Sequence, residues 1–188
     1  MTRAQQNISF CTTTDGTRIA VSCLGSGYPI VRAAHWLSHV EYDPVSPVWA
    51  PWIRELSSEN RYISYDQRGC GLSDRAVTHF DLDTLVSDLE AVVDMLGLTK
   101  FSLLGMSQGG AIAIEYALRH PERVSDLVLL GAYSRGLLAR ASTNDTKTEA
   151  ETLLNLIRLG WGKNNASFRN VFTKQYIPGG TPQQIQWW

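Results

Sequence analysis

The chain has 188 residues, 44% hydrophobic and 19% charged, with a formal net charge of -1, which is the size and composition of one globular domain with enough chain for a sizeable core. A near-zero charge with no basic stripe excludes an electrostatic case for nucleic acid or an anionic membrane. No uninterrupted apolar run is long enough to span a bilayer, and Met1 to Asn7 lack the apolar stretch of a signal peptide, so the chain reads as cytoplasmic.

Asn7 to Thr14 and Thr17 to Leu24, rich in threonine, isoleucine and valine, flank Asp15-Gly16, a two-residue hairpin turn. A tight turn there sets Cys11 opposite Ala20, not Cys23. Cys11, Cys23 and Cys70 are an odd number without metal spacing and read as buried thiols; no cofactor or metal site is expected. The loop Gly25 to Pro29 leads to a third strand, Ile30 to Ala33, after which Ala34 to His39 turns outward. Ser46 and Pro47 read as N-cap and first residue of a helix with Val48, Trp49, Trp52, Ile53 and Leu56 on one apolar face. Arg61 to Tyr65 is the fourth strand. The loop Asp66-Gln-Arg-Gly-Cys-Gly-Leu-Ser-Asp74 reads as a folded structural turn in which Asp66 and Asp74 hold their own loop. A second helix has Asp81 as N-cap, a Phe80 to Leu85 staple, the stripe Leu82, Leu85, Val86, Leu89, Val92, Val93 and Leu96, and Gly97 as terminator.

Phe101 to Leu104 is a short apolar run suited to a strand buried on both faces, and Ala111 to His120 is a helix closed by Pro121. Between them stands Gly105-Met106-Ser107-Gln108-Gly109, a G-x-S-x-G. Such a turn forces the serine into a strained backbone conformation, and side chains at Gly105 and Gly109 would collide with the neighbouring helix and strand. The Ser107 hydroxyl is thereby held out above the sheet, at a helix N-terminus that favours developing negative charge. Val124 to Leu130 is a further strand. Strands and helices alternate from Ile30 to Leu130, the signature of parallel crossovers, so the fold class is α/β: a mostly parallel sheet of six strands with Phe101 to Leu104 central and the hairpin at one edge.

These residues resemble the α/β-hydrolase fold family over about Ile8 to Tyr133, through G-M-S-Q-G-G and the D-Q-R-G-C-G-L-S-D loop in the expected order. The run Val31 to Asp43 is similar to hydrolase-like domains found beside adenylate cyclase or transcriptional-regulator modules. The resemblance implies Ser107 as nucleophile and the backbone N-H groups of Gln108 and Trp36 as oxyanion hole, with His35, His39 and Met106 near the pocket. Many members carry His-Gly just before the oxyanion residue, where this chain has Ala34-His35. Members also place the triad acid and the general-base histidine after two further strands.

This chain has no histidine after His120, and Gly131 to Gly136 holds no carboxylate. Residues 1–140 read as the core. Residues 141–188 read as a truncated lid: a polar stretch, Ser142 to Glu149, a helix with Ala150, Leu153, Leu154 and Ile157 on one face, and a segment with Phe168, Val171, Phe172 and Tyr176. Thr181-Pro182-Gln183-Gln184 is a helix start with a capping-box glutamine, and Ile185 and Trp188 begin an apolar face. The sequence ends there, as a longer hydrolase cut short would, with its two terminal tryptophans left exposed or seeking a partner. Val124 to Leu130 then becomes an exposed edge unless the lid segment or another subunit covers it, and so a route to a homo-oligomer.

Of the histidines, His120 lies roughly 20 Å from Ser107 at 1.5 Å of rise per residue, His79 is a loop residue, and His35 and His39 stand on the right face, where a loop histidine is usually structural. Three readings stay open: a serine hydrolase of an ester-like bond in a small molecule, impaired for want of acid and histidine; a ligand-binding or regulatory module; and an inactive fragment.

Overall fold

A computed structural model describes residues 6–187. Met1 to Gln5, read above as free of a signal stretch, and Trp188, read as exposed or seeking a partner, lie outside the described residues. The chain divides into two compact units. One runs to Val45 and resumes over Trp49–Ser134; the other holds Ser46–Val48 and the residues from Arg135 on. The division thus falls after Ser134 rather than after residue 140. Among the described residues no helix is long and apolar enough to cross a membrane.

The first unit is a six-stranded sheet flanked by helices. Its strands are β1 (Asn7–Thr12), β2 (Arg18–Leu24), β3 (Tyr28–Arg32), β4 (Asn60–Tyr65), β5 (Phe101–Met106) and β6 (Val124–Leu130), in the order β1-β2-β4-β3-β5-β6. β1 and β2 are antiparallel to their neighbours, whereas β3, β4, β5 and β6 pair in parallel. Helices α1 (Ala50–Leu56), α2 (Leu82–Met95) and α3 (Gly109–Arg119) make the crossovers. Because β1 to β4 lie on one side of it and only β6 on the other, β5 is one strand in from the edge, not central. β6 is that edge, and Leu127, Val128, Leu129 and Leu130 are each between 38% and 53% exposed.

The core follows the expected stripe. Val31, Ile63 and Leu103 from three adjacent strands and Leu89, Val93 and Ile112 from α2 and α3 are inaccessible or nearly so, each such burial being favourable by about 1.5–3 kcal/mol. Asp81 caps α2 by accepting the Thr84 N-H at 2.9 Å, and Gly97 takes a φ of 64° just beyond its end. Leu82 departs from the stripe at 39% exposed, and Phe80 is half exposed with its ring against Gly69.

Two local expectations are corrected. Cys11 pairs with Ile19, not Ala20. The Asp15 carboxylate accepts from both the Thr13 hydroxyl and the Thr17 N-H, so Thr13 and Thr17 close the hairpin around a three-residue loop with Gly16 at φ 87°. Likewise α1 begins at Ala50 with Pro51 in its first turn, and not at Pro47: Ser46 Oγ accepts the Val48 N-H in a separate turn.

The second unit is helical: α4 (Leu137–Arg140), α5 (Asn144–Gly160), α6 (Ala166–Tyr176) and α7 (Pro182–Trp187). The polar stretch expected as a lead-in belongs to α5 itself. Thr143 and Thr146 form a reciprocal capping box that starts the helix at Asn144. On α6 the buried pair is Phe168 and Phe172, stacked at 5.4 Å, while Val171 is 52% exposed. Phe168 also packs against Gly160, where a Cβ would stand 2.2 Å from its ring. Thr181 and Gln184 exchange the two bonds of the capping box read from the sequence, and Trp187 is 47% exposed.

Candidate active site

Ser107 stands between the last residue of β5 and the first turn of α3, at φ 52°, and no other non-glycine among the described residues has positive φ. An L-residue held there is strained. The glycines around it leave no room for a side chain. A Cβ on Gly105 would stand 2.8 Å from Ala113 Cβ and 2.9 Å from Gly110 Cα; on Gly109, 2.7 Å from the Ala33 carbonyl oxygen; on Gly110, 2.3 Å from Ala132 Cβ. The turn is thus wedged against α3, the end of β3 and the segment after β6. Backbone bonds complete it: Ser107 N-H donates to the Leu130 carbonyl at 3.2 Å, and the Ser107 carbonyl accepts from Gly110 N-H at 3.1 Å.

The segment from Ala33 to Asp43 leaves β3 beside the elbow and carries the expected second donor, Trp36. Its ends and middle are fixed by polar ties. Arg32, 1% exposed, donates from Nη2 to Asp43 Oδ2 at 2.8 Å and lies 5.6 Å from the Trp49 ring. Asp66 Oδ1 accepts the Val40 N-H at 2.9 Å while its Oδ2 takes the Leu72 N-H at 2.8 Å; burial raises its pKa, and these bonds offset part of that rise. Ser38 Oγ accepts the Gln67 N-H at 3.3 Å. The Cys70 thiol, its pKa pushed up by burial and by Asp66, donates to the Trp36 carbonyl at 3.2 Å. Trp36 N-H is itself engaged: it donates to Oε1 of the Gln108 side chain at 3.1 Å.

Asp66 and Asp74 therefore reach beyond their own loop, which corrects the expectation that they only hold it. The Asp74 carboxylate accepts the Arg18 N-H at 2.8 Å on β2. Gly71, at φ 51°, must lack a side chain because a Cβ would fall 2.0 Å from Asp66 Oδ2.

The histidines are placed as follows. His35 is buried, its Nδ1 accepts the Leu37 N-H at 3.2 Å, and its Nε2 has no hydrogen-bond partner among the described residues. Burial, with the nearby Arg32 charge, pulls its pKa down to about 3, so the ring is neutral with its proton on Nε2. His39 is half-buried and its ring packs, tilted, 4.2 Å from the Tyr42 ring. His79 is exposed, and His120 at the end of α3 bonds Glu90 Oε1 at 2.8 Å. Met106 is the half-buried last residue of β5.

Sequence reading missed the Arg32–Asp43 pair and the Gln108 side chain. A lone arginine in Val31-Arg32-Ala33-Ala34 was the signal for the first, since a cation in a buried strand needs a partner. A second cluster, Arg68 bidentate to Asp88 at 2.6 and 2.8 Å and 2.7 Å from Asp15, ties the loop to α2 and to the hairpin turn.

A model of the alpha/beta hydrolase fold family matches residues 39–177, well over half of the chain. The chain is similar to the AB hydrolase superfamily protein YisY of Bacillus subtilis, 30% identical over 93% of this chain and 63% of that protein. It is also similar to the 2-hydroxy-6-oxo-2,4-heptadienoate hydrolase of Pseudomonas putida, 33% identical over 70% of this chain and 47% of that one. Among solved structures, the esterase EaEST of Exiguobacterium antarcticum superposes with a TM-score of 0.74 at 32% identity, over 95% of this chain and 65% of that one. The chain thus spans 47% to 65% of the length of these three proteins. By the family match, and by a sheet order and elbow that agree with it, this chain belongs to the α/β-hydrolase fold family.

Proposed function

We propose that these residues carry the nucleophile side of a serine hydrolase acting on an ester-like bond of a small molecule. Ser107 Oγ adds to the carbonyl carbon, its proton leaving to water, and the carbonyl pair moves onto oxygen as an oxyanion facing the N-H groups of Gln108 and Trp36. The observation that carries this reading is the strained φ of 52° at Ser107, packed in on three sides by glycines that tolerate no Cβ. Strain of that kind persists only where the surroundings impose it. Similarity to an esterase supports the reaction class.

Turnover by the 188 residues themselves is expected to be weak. His35 is buried and neutral, His39 packs against the Tyr42 ring and His120 is paired to Glu90, so none is shown poised on Ser107, and serine without a base is a poor nucleophile. The test is hydrolysis of p-nitrophenyl acetate by the chain and by Ser107→Ala. Slow hydrolysis that is lost in Ser107→Ala supports the reading. Equal rates in both proteins would overturn it.

The Gln108–Trp36 bond favours a second reading, a ligand-binding module, because it already occupies a donor that hydrolysis needs. Reversible, Ser107-independent binding of small carbonyl compounds, with no Ser107-dependent hydrolysis, would select that reading.

A further inference from the structure

We propose that the Gln108 side chain is an internal occupant of the oxyanion site, its amide oxygen holding the Trp36 N-H until a ligand oxygen displaces it. The inference rests on the reading above, in which that N-H receives the substrate oxygen. Gln108 follows the nucleophile and occupies the N-cap position of α3 with helical backbone angles, and its side chain makes no cap bond to the helix. Its Oε1 lies 3.1 Å from Trp36 N. A carboxamide oxygen is the same kind of acceptor as an ester carbonyl, so the donor is kept aligned by a stand-in for the substrate.

Little but this side chain has to move. The Trp36 carbonyl is held by Cys70, the ends of the segment are tied by Arg32 on Asp43, and Asp66 pins Val40 N-H between them. Gln108 itself is half-buried. Rotation about its side-chain bonds opens the donor without any displacement of the loop.

The exchange has a consequence for selectivity. A neutral substrate carbonyl that replaces Oε1 trades one neutral hydrogen bond for another and gains almost nothing. A tetrahedral oxyanion gains a charge-assisted bond, roughly twice as strong as a neutral one. The occupant therefore takes the same amount from ground-state and transition-state binding at this donor, so ground-state binding falls to almost nothing while the differential that accelerates a reaction is kept.

The experiment uses the full chain, ¹⁵N-labelled, at pH 7, as wild type, Gln108→Ala and Gln108→Glu, each also with Ser107→Ala as the control for Ser107 dependence. All three keep the backbone N-H of residue 108. Two quantities are read: the hydrogen-exchange rate of the Trp36 amide, and affinity for phenylboronic acid. Its boron accepts a lone pair from Ser107 Oγ to give a tetrahedral anion, the serine proton passing to solvent. Gln108→Ala should speed Trp36 exchange and tighten the boronate, each by roughly 2- to 10-fold, the worth of one net hydrogen bond. Gln108→Glu should do the reverse on both, because a carboxylate grips the N-H harder and repels the boronate anion.

If Gln108 only supports the fold, both substitutions loosen Trp36 and weaken the boronate, and the proposal is overturned. Unchanged Trp36 exchange in Gln108→Ala also overturns it, while Ser107-dependent boronate binding by the wild type would leave the hydrolase reading intact. Faster exchange in Gln108→Ala with no Ser107-dependent boronate binding in any variant would remove the hydrolase reading, and this proposal with it.

Discussion

Ser107 and Trp36 follow neighbouring strands, β5 and β3, yet their surroundings are held by opposite means. At the elbow the controlling feature is what is absent: three glycines bring α3, the end of β3 and the segment after β6 to distances no Cβ allows. Around Trp36 the controlling feature is what is present, a set of buried and half-buried polar side chains drawn from β3, the Asp66–Asp74 loop and the elbow. A steric device is local and insensitive to pH. A polar one is assembled from distant residues and depends on protonation, so the two halves should fail differently.

The largest expected effect comes from Asp43→Ala. It leaves the Arg32 guanidinium, 1% exposed, without its carboxylate, and removing one partner of a buried pair costs about 3–5 kcal/mol. Urea denaturation should show that loss, and Asp43→Asn, which keeps an acceptor oxygen, should lose less. Equal, small losses in both would mean that packing of the Arg32 stem on Trp49, not the ion pair, holds the segment.

Gly109→Ala attacks the steric side. Its Cβ would meet the Ala33 and Ala34 carbonyl oxygens at 2.7 and 2.9 Å, and overpacking of this kind costs about 1–3 kcal/mol. The loss should be the same at pH 5 and pH 8, which urea titrations at both values would check. Since the added methyl pushes on the start of the Trp36 segment, Trp36 fluorescence should shift as well.

How far the sequence could be read follows the same division. Glycines around a serine, with a strand pattern before and a helix pattern after, are local signals, and the elbow and the Thr181–Gln184 capping box were legible from a few adjacent residues. Alternating strands and helices likewise made the parallel crossovers and the strand from Val124 to Leu130 legible. Bonds across long separations were not: Asp74 reaches Arg18, Asp66 reaches Val40 and Arg32 finds Asp43, and no spacing rule announces such partners. Even the hairpin register turned on one side chain, since the Asp15 carboxylate enlarges the loop by one residue and shifts Cys11 from Ala20 to Ile19. α1 was misplaced for a related reason, because Pro47 and Pro51 both fit a helix start and the sequence does not rank them.

A smaller effect tests the polar side through pH. His35 titrates at about 3 in the fold against 6.5 as a free side chain. Between those values the unfolded chain holds a proton that the folded one does not, so this group's contribution to stability falls as pH drops from about 6.5. The slope is at most about 1.4 kcal/mol per pH unit. Asp66, whose pKa is raised by burial, contributes with the opposite sign as it protonates. His35→Asn separates the two: its side-chain oxygen can accept the Leu37 N-H without titrating, so stability between pH 6.5 and 4.5 should fall less steeply than in the wild type. Parallel curves for the two proteins would mean that His35 is not held neutral.

The smallest effect is a gain, and it bears on the elbow alone. Ser107 at φ 52° occupies the left-handed region, which costs an L-residue roughly 1–2 kcal/mol and costs glycine nothing. Ser107→Gly removes that strain, but glycine also makes the unfolded chain more flexible, which takes back about 0.5–1 kcal/mol. The net expectation is a stabilisation of about 0.5–1 kcal/mol in urea denaturation, with Ser107→Ala close to the wild type because alanine keeps the Cβ that causes the strain. The hydroxyl therefore adds nothing to stability in this account, and the fold would be better served by glycine. If Ser107→Gly is instead less stable than Ser107→Ala, the turn is not strained in solution, and the structural ground for reading Ser107 as a nucleophile is gone.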